Sequence, residues 1–311
     1  MQIDPEILNW LLEGDPAIRW QVQRDLLDEL PQVYKAERQR VSSQGWGRRL
    51  LALQDPDGRW GGGLYSPKWV STTYTLLALR MLGLPSGNPQ ALAGCRLLLE
   101  GGFFRDGGIN FSPNWKHSET CITGMVLSIL AHFQYPDERL KIIAEHLLGQ
   151  QMADGGWNCR SYQGDTHSSF NTTLLVLEGL HAYEGKAPGE AAPLQAAQGR
   201  GREFLLQHKL YRSHHTGEVV SPSMTRFPFP PRWQYDVLRA LDYFQSVQAE
   251  QDGRLGDAIE LLLSKRKADG RWSAYRGPSG LVFFKMESAG EPGRANTLRA
   301  LRVLRWWETG L

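Results

Sequence analysis

The chain has 311 residues, 41% of them hydrophobic and 22% charged, which are the proportions of an ordinary water-soluble protein. Thirty-five basic residues against 33 acidic ones leave a net charge of +2, so no global field draws it to nucleic acid or to an anionic membrane. The longest mostly apolar stretch, Cys121 to Phe133, is broken by Thr123, Ser128 and His132 and is too short to span a bilayer. No basic segment followed by an apolar run opens the sequence. Three cysteines, Cys95, Cys121 and Cys159, are too few for a disulfide framework, and the expected location is the cytoplasm.

In chain order the first predicted elements are N-terminal helices within residues 1–45: Met1 to Leu12, then Asp15 to Leu30, where Asp15-Pro16 has the form of a cap followed by proline at the first helical position. A repeating unit follows, with a helical pattern, an Asp-Gly turn, a loop and a more apolar helix. Its first copy has Gly47 to Gln54, Asp57-Gly58-Arg59-Trp60 and Val70 to Leu82. The second has Gln90 to Glu100, Asp106-Gly107-Gly108-Ile109 and His117 to Phe133, and the third Arg139 to Gln151, Asp154-Gly155-Gly156-Trp157 and Ser168 to Tyr183. Glu184 to Gln198, rich in Ala, Gly and Pro, reads as an exposed linker. A unit without the turn has Gly201 to His208, a long connection from Lys209 to Arg232, and Pro231 to Phe244. The last has Gly256 to Lys267, Asp269-Gly270-Arg271-Trp272 and Ala295 to Trp307.

The turns are 49, 48 and 115 residues apart, the last being about two periods. Asp-Gly stops a helix because Asp bonds its own backbone and Gly reaches positive φ at no steric cost. A tryptophan just beyond can cover the helix end, its indole N–H reaching a carbonyl. Eleven tryptophans and 33 glycines fit such a repeat. Helices apolar on more than one side demand burial on more than one side. The predicted fold is therefore all-α, a single domain over 1–311 of about six helix pairs, which could stack as an open solenoid or close into inner and outer rings.

The turns resemble the Gln-and-Trp motifs of the terpenoid cyclases and protein prenyltransferases. Gln54-x-x-Asp57-Gly58-x-Trp60 and Gln150-Gln151-Met152-Ala153-Asp154-Gly155-Gly156-Trp157 carry the resemblance, together with Ser169-Phe170-Asn171-Thr172-Thr173 opening a helix. It implies an α/α toroid. The departures are as informative: the Asp-x-Asp-Asp run of squalene-hopene cyclases, the Asp-Cys-Thr-Ala motif of oxidosqualene cyclases and the Asp-x-Cys pair of prenyltransferases are all absent. A standard polyene cyclase is not expected.

One prenyltransferase segment has a counterpart. His117-Ser118-Glu119-Thr120-Cys121 is similar to the stretch that carries the family's zinc-binding histidine, and His117 and Cys121 share a helix face at i, i+4. One repeat later come Cys159, Asp165 and His167. His117, Cys121, Cys159 and His167 form a predicted His2Cys2 set for zinc, with Asp165 or Glu119 as substitute ligand or supporting partner. The bland reading is that the cysteines are small buried hydrophobes and the histidines polar caps.

The Lys209 to Arg232 connection is basic and aromatic, with Arg212, His214, His215 and Arg226 among Tyr211, Phe227 and Phe229, and with Trp233 and Tyr235 just after it. A loop of this length is often a binding loop; it can also be a longer crossover in a degenerate repeat. Arg212, His214, Arg226, Trp233 and Tyr235 are candidate substrate contacts, with Asn171 and Tyr74 at the starts of other apolar helices. Asp236 and Glu119 are candidate acids or bases, although an Asp so placed also serves to complement a helix N-terminus. Arg299, Arg302 and Arg305 read as a solvated or salt-bridged helix face.

Three functions follow. The first is an enzyme of the cyclase and prenyltransferase type acting on an apolar or isoprenoid-like substrate, with zinc as a possible cofactor. The second is a noncatalytic toroid that binds a lipid, a peptide or a partner chain. The third is a zinc-dependent transferase or hydrolase on a polar or peptide substrate.

Overall fold

A computed structural model describes residues 3–309, and its secondary structure is helical, with only isolated β-bridges elsewhere among the described residues. The chain divides into two compact units. The first comprises Met1–Leu53, Met81–Pro85 and His208–Leu311, and the second Gln54–Arg80 and Ser86–Gln207.

The second unit holds most of α5 (Thr72–Leu82), then α6 (Pro89–Gly102), α7 (Thr120–His132), α8 (Arg139–Gly149), α9 (Phe170–Glu184) and α10 (Ala191–Gln207). Two kinds of helix alternate. On α8 the buried residues are Leu140, Ile143, Ala144 and Leu147, the single stripe of a helix with one wet side. On α7 every residue from Ile122 to Ala131 is buried, and α9 is similarly enclosed. The two enclosed helices lie close: a Cβ on Gly124 would meet Leu175 O at 2.8 Å, and one on Gly179 would meet Gly124 O at 2.6 Å.

The first unit contains α1 (Pro5–Leu12), α2 (Pro16–Asp25), α3 (Pro31–Gln39), α4 (Gly45–Leu51), α11 (Val237–Ser246), α12 (Gly256–Ser264) and α13 (Arg294–Thr309). Asp15 caps α2 by accepting from Ala17 N at 2.9 Å, as its sequence implied. The two ends of the chain are joined here. Arg302 on α13 bonds Asp25 on α2 at 3.1 Å, and Arg294 donates to Trp10 O at 2.9 Å. The all-α class expected from the sequence holds, and successive enclosed and one-faced helices are consistent with an α/α toroid.

The Asp-Gly turns close alike in both units. Gly58, Gly107, Gly155 and Gly270 have φ between 78° and 91°, the region where side chains are strained. The residue after each turn sends its backbone N–H to a threonine hydroxyl in the following helix: Trp60 to Thr72 at 3.1 Å, Ile109 to Thr123 at 3.0 Å, Trp157 to Thr173 at 3.0 Å and Trp272 to Thr297 at 3.0 Å. Trp157 and Trp272 also donate their indole N–H to Leu147 O and Leu262 O in the preceding helices, at 2.7 and 2.8 Å. Gln54 and Gln151 clasp the turn from the other side. Each bonds the turn glycine's carbonyl and a carbonyl of the next one-faced helix, Gln90 O or Ala197 O.

Three sequence expectations change. The linker over Glu184 to Gln198 is largely the start of α10, with Leu194, Ala197 and Gln198 buried; alanine and glutamine favour helix, and Pro193 falls in the first turn, where its missing N–H costs nothing. The helix expected from Pro231 begins only at Val237, because Asp236 is its cap. The helix expected over Asp15 to Leu30 ends at Asp25, and Pro31 starts a separate α3. The predicted first helix spans Pro5–Leu12; Met1 and Gln2 lie outside the described residues.

Thr173→Val keeps shape but leaves the buried Trp157 N–H without its acceptor. The expected loss of stability is about 1–3 kcal/mol, read by urea denaturation, whereas Thr309→Val at an exposed helix end should stay within about 0.5 kcal/mol.

Candidate functional site

In the first unit α11 presents Asp236, Arg239 and Asp242 at intervals of three, and α13 packs Asn296, Arg299 and Arg302 against them. Asp236 is 1% exposed, Arg239 and Arg299 are each 4% exposed, and Asn296 is fully buried. Asp236 Oδ1 accepts from Arg239 N at 2.8 Å, the ordinary work of a helix cap. Its other oxygen, Oδ2, is buried with no hydrogen-bond partner among the described residues.

The arginines around it are unevenly committed. Arg302 holds Asp242 at 2.5 Å and Asp25 at 3.1 Å. Arg239 donates to Arg232 O and Gln234 O at 3.0 and 2.9 Å. Arg299 reaches Asp242 through Nε at 3.4 Å, while both its Nη1 and Nη2 are buried without a partner among the described residues. Asn296 donates to Phe227 O and Ser273 O at 2.7 and 2.9 Å, and its Oδ1 is likewise unpartnered among the described residues.

These surroundings separate the two carboxyls. Burial would raise Asp242, but the Arg302 and Arg299 guanidinium groups outweigh it and hold the carboxyl below the usual range. For Asp236 burial dominates: Arg299, the Arg239 N–H and the Arg239 charge oppose it only in part, and the carboxyl is pushed up to about 6. A carboxyl that keeps its proton near neutrality can act as a general acid.

Several residues of the basic loop are bonded within the protein. Arg212 is tied to Asp257 at 3.0 Å and to Gly217 O at 3.0 Å. Exposed His214 bonds His208 at 2.8 Å, and Arg226 is exposed. Tyr235 is buried and donates to Leu210 O at 2.6 Å. Trp233 is half-buried. The C-terminal arginines form ion pairs as one reading had it, but Arg299 is enclosed, not solvated. Arg239 and Asp242 were not singled out from the sequence; their three-residue spacing from Asp236 is the signal that marks the cluster.

In the second unit Glu119 precedes α7, and burial raises its carboxyl against the pull of Lys68 and His117. Cys121 and Cys159 do meet: their thiols share a hydrogen bond, which with burial drives Cys121 well above its usual value. The same bond, helped by Thr172, brings Cys159 down to about 7 against burial. The rest of the expected ligand set is not gathered with them, and the buried His117 Nε2 has no hydrogen-bond partner among the described residues. Asp165 pairs with Arg160 at 3.5 Å and accepts from Asn158. His167 is exposed, and the His117 ring lies 3.5 Å from that of Tyr162. Among the described residues no group of three or more His, Cys, Asp or Glu side chains is placed to hold a metal ion. The residues as arranged do not fit a zinc centre. Tyr74 is buried, its ring 5.4 Å from that of Tyr65 and packed edge-on against Trp69 at 4.8 Å; Asn171 stands in the first turn of α9.

No family model matches the sequence, and no curated protein does. Among solved structures the chain is similar to a protein from Actinoplanes, at 17% identity over 95% of this chain and 91% of that one, with a TM-score of 0.47. It is similar to the type II terpene cyclase MstE from Scytonema without ligand, at 16% identity over 98% and 100% of the two chains and a TM-score of 0.47. A variant of that cyclase with geranylgeranyl dihydroxybenzoate gives 15% identity over 98% of each chain and the same TM-score. No helix among the described residues is long and apolar enough to cross a membrane.

Because the folded carboxyl of Asp236 sits above its unfolded value of 3.8, its ionisation works against the fold. Stability from this group is complete below the unfolded value and is lost as pH rises through about 6. Asp236→Asn should therefore gain stability relative to the parent between pH 4 and pH 7, by about 3 kcal/mol at the upper end, as measured by paired denaturant titrations. A constant difference over that range would show that Asp236 does not titrate there.

Proposed function

We propose that this chain is an enzyme of the terpenoid-cyclase type, in which Asp236 protonates a double bond of an apolar, isoprenoid-like substrate. The observation that carries the reading is the buried Oδ2 of Asp236, unpartnered among the described residues, with the two unpartnered η nitrogens of Arg299 on the neighbouring helix. The resemblance of the Gln-and-Trp turns to that superfamily supports it from the sequence.

In this reading Asp236 is neutral in the resting site. The π electrons of a substrate double bond take its proton, the O–H pair stays on the carboxylate, and a carbocation forms on the more substituted carbon. Arg299 then offers its η N–H groups to the new carboxylate, so the charge that appears on Asp236 meets donors already in place. A second double bond attacks the cation and closes a ring. Loss of a proton from the cyclised cation ends the reaction, and Asp236 is the base that takes it back. Aromatic faces stabilise such cations by about 0.5–2 kcal/mol each. The acid stands outside any Asp-x-Asp-Asp run because a single buried carboxyl with one uncommitted guanidinium meets the same electrostatic requirement.

The test uses geranylgeraniol and squalene with the purified protein in D2O. The expected result is a cyclised product with one deuterium on carbon, with turnover lowered about 10²–10⁴-fold in Asp236→Asn and less in Arg299→Gln, while circular dichroism stays unchanged. Binding of either probe without conversion would favour a sequestering role, and an active Asp236→Asn would remove the acid from this residue.

A further inference from the structure

The second unit holds a pair of nucleophiles that protonation at Asp236 does not use. Cys121 is the second residue of α7, and Cys159 lies two residues past Trp157 in the loop before α9. The backbone fixes both positions. Glu119 N donates to Ile109 O at 2.9 Å, and Thr123 N to Glu119 O at 2.8 Å, which sets the start of α7. Ser169 N donates to Trp157 O at 2.8 Å, and Cys159 N to Thr172 Oγ1 at 3.4 Å, which ties the loop to the start of α9. Because α7 and α9 approach through Gly124 and Gly179, little slack remains between the two attachments. In this frame the two thiols hydrogen-bond to each other, and both residues are half-buried. The third cysteine, Cys95, is fully buried in α6, and its thiol is pushed up to about 12.

We propose that Cys121 and Cys159 are a redox-active dithiol, closed to an intramolecular disulfide by a low-molecular-weight disulfide. Cys159, whose sulfur is hydrogen-bonded by both Cys121 and Thr172, is the attacking thiol. As a thiolate it attacks one sulfur of the small disulfide, forms a mixed disulfide and expels one small thiolate. Cys121 then gives up its proton, attacks the Cys159 sulfur and expels the second. Two protein thiols are oxidised and one small disulfide is reduced to two thiols. The bond would fasten the start of α7 to the loop before α9, beside Glu119, and so offers a covalent lock on that end of the unit. Cys95 stays out of the exchange, since the thiolate is the nucleophile and burial suppresses it there.

The experiment treats the reduced full-length protein, without substrate, with glutathione disulfide at neutral pH. Thiols are then counted under denaturing conditions, and peptides are mapped without reduction. The expected result is loss of two of the three thiols, no retained glutathione, and a Cys121–Cys159 cross-link. Cys121→Ser should hold one glutathione on Cys159, and Cys159→Ser should form no cross-link. Retention of all three thiols, or a stable glutathione adduct on the parent, overturns the proposal. So does stoichiometric zinc that protects both thiols in protein purified without a metal-binding tag. None of these readouts depends on turnover, so the dithiol and the acid at Asp236 stand or fall separately.

Discussion

At four places a threonine hydroxyl in the first turn of an enclosed helix receives the backbone N–H that follows an Asp-Gly turn, and the helix pair at each of these places is built around that bond. The N–H belongs to a buried residue, Trp60, Ile109, Trp157 or Trp272, each at most 1% exposed. Water cannot take the place of the acceptor there, so a missing hydroxyl leaves an expensive orphan. The bond sets where the enclosed helix begins relative to the turn, and the tryptophan that the turn delivers then caps the helix before it. One local constraint thus sets the spacing between an outer and an inner helix without help from the rest of the chain, which explains how the motif recurs with so little other sequence in common.

The same backbone bond aligns the residues just ahead of these helices. Thr123, Thr173 and Thr297 donate their amides to Glu119, Ser169 and Gly293, and on α11 Ala240 donates to Asp236. Four equivalent positions therefore hold Glu, Ser, Gly and Asp. On α11 the threonine is replaced by Ala240 and the Asp-Gly turn is missing, so that helix has lost the neutral clasp and carries an enclosed carboxylic acid at its cap. The repeat is broken at the helix that carries this acid, and the long connection ahead of α11 contributes buried Phe227, with Tyr235 beside it, to the packing.

Much of this was legible in the sequence because it rests on local periodicity. The Asp-Gly turns, the alternation of one-faced and fully apolar helices, and the cap at Asp15 all follow from residues within a few positions of one another. Asp236, Glu119 and the two cysteines were legible as positions at helix starts. What could not be read was commitment. Arg212, a natural anion ligand by type, is already tied to Asp257 by a contact 45 residues away, and Asp165 is taken by Arg160. Conversely, Arg299 read as part of a solvated or salt-bridged stripe, since helical spacing says which residues share a face and nothing about whether that face meets water or another helix. The start of Ala-rich α10 was hidden for a related reason: Pro193 lies in its first turn, and a proline that opens a helix looks the same in sequence as one that belongs to a linker.

The balance of charge in the first unit explains why Asp236, and not its neighbour, is suited to give up a proton. The α2, α11 and α13 helices gather three carboxyls, Asp25, Asp236 and Asp242, against three guanidinium groups, Arg239, Arg299 and Arg302. Burying any of these ions is costly unless it is paired and its hydrogen bonds are satisfied. Asp25 and Asp242 share Arg302, and Asp242 also takes the Nε of Arg299, so Asp242 stays ionised and is too weakly basic to carry a proton near neutrality. Asp236 has only a cap bond to share, and while it is neutral the guanidinium groups around it outnumber the carboxylates. That excess does not bind the resting acid, because the η nitrogens of Arg299 have no bond to it, yet it lowers the energy of the carboxylate once the proton has gone. A fully paired carboxyl would have no proton to give, and an isolated one would hold it too tightly. Asp236 lies between these limits because one arginine is committed through a single nitrogen and not through all three.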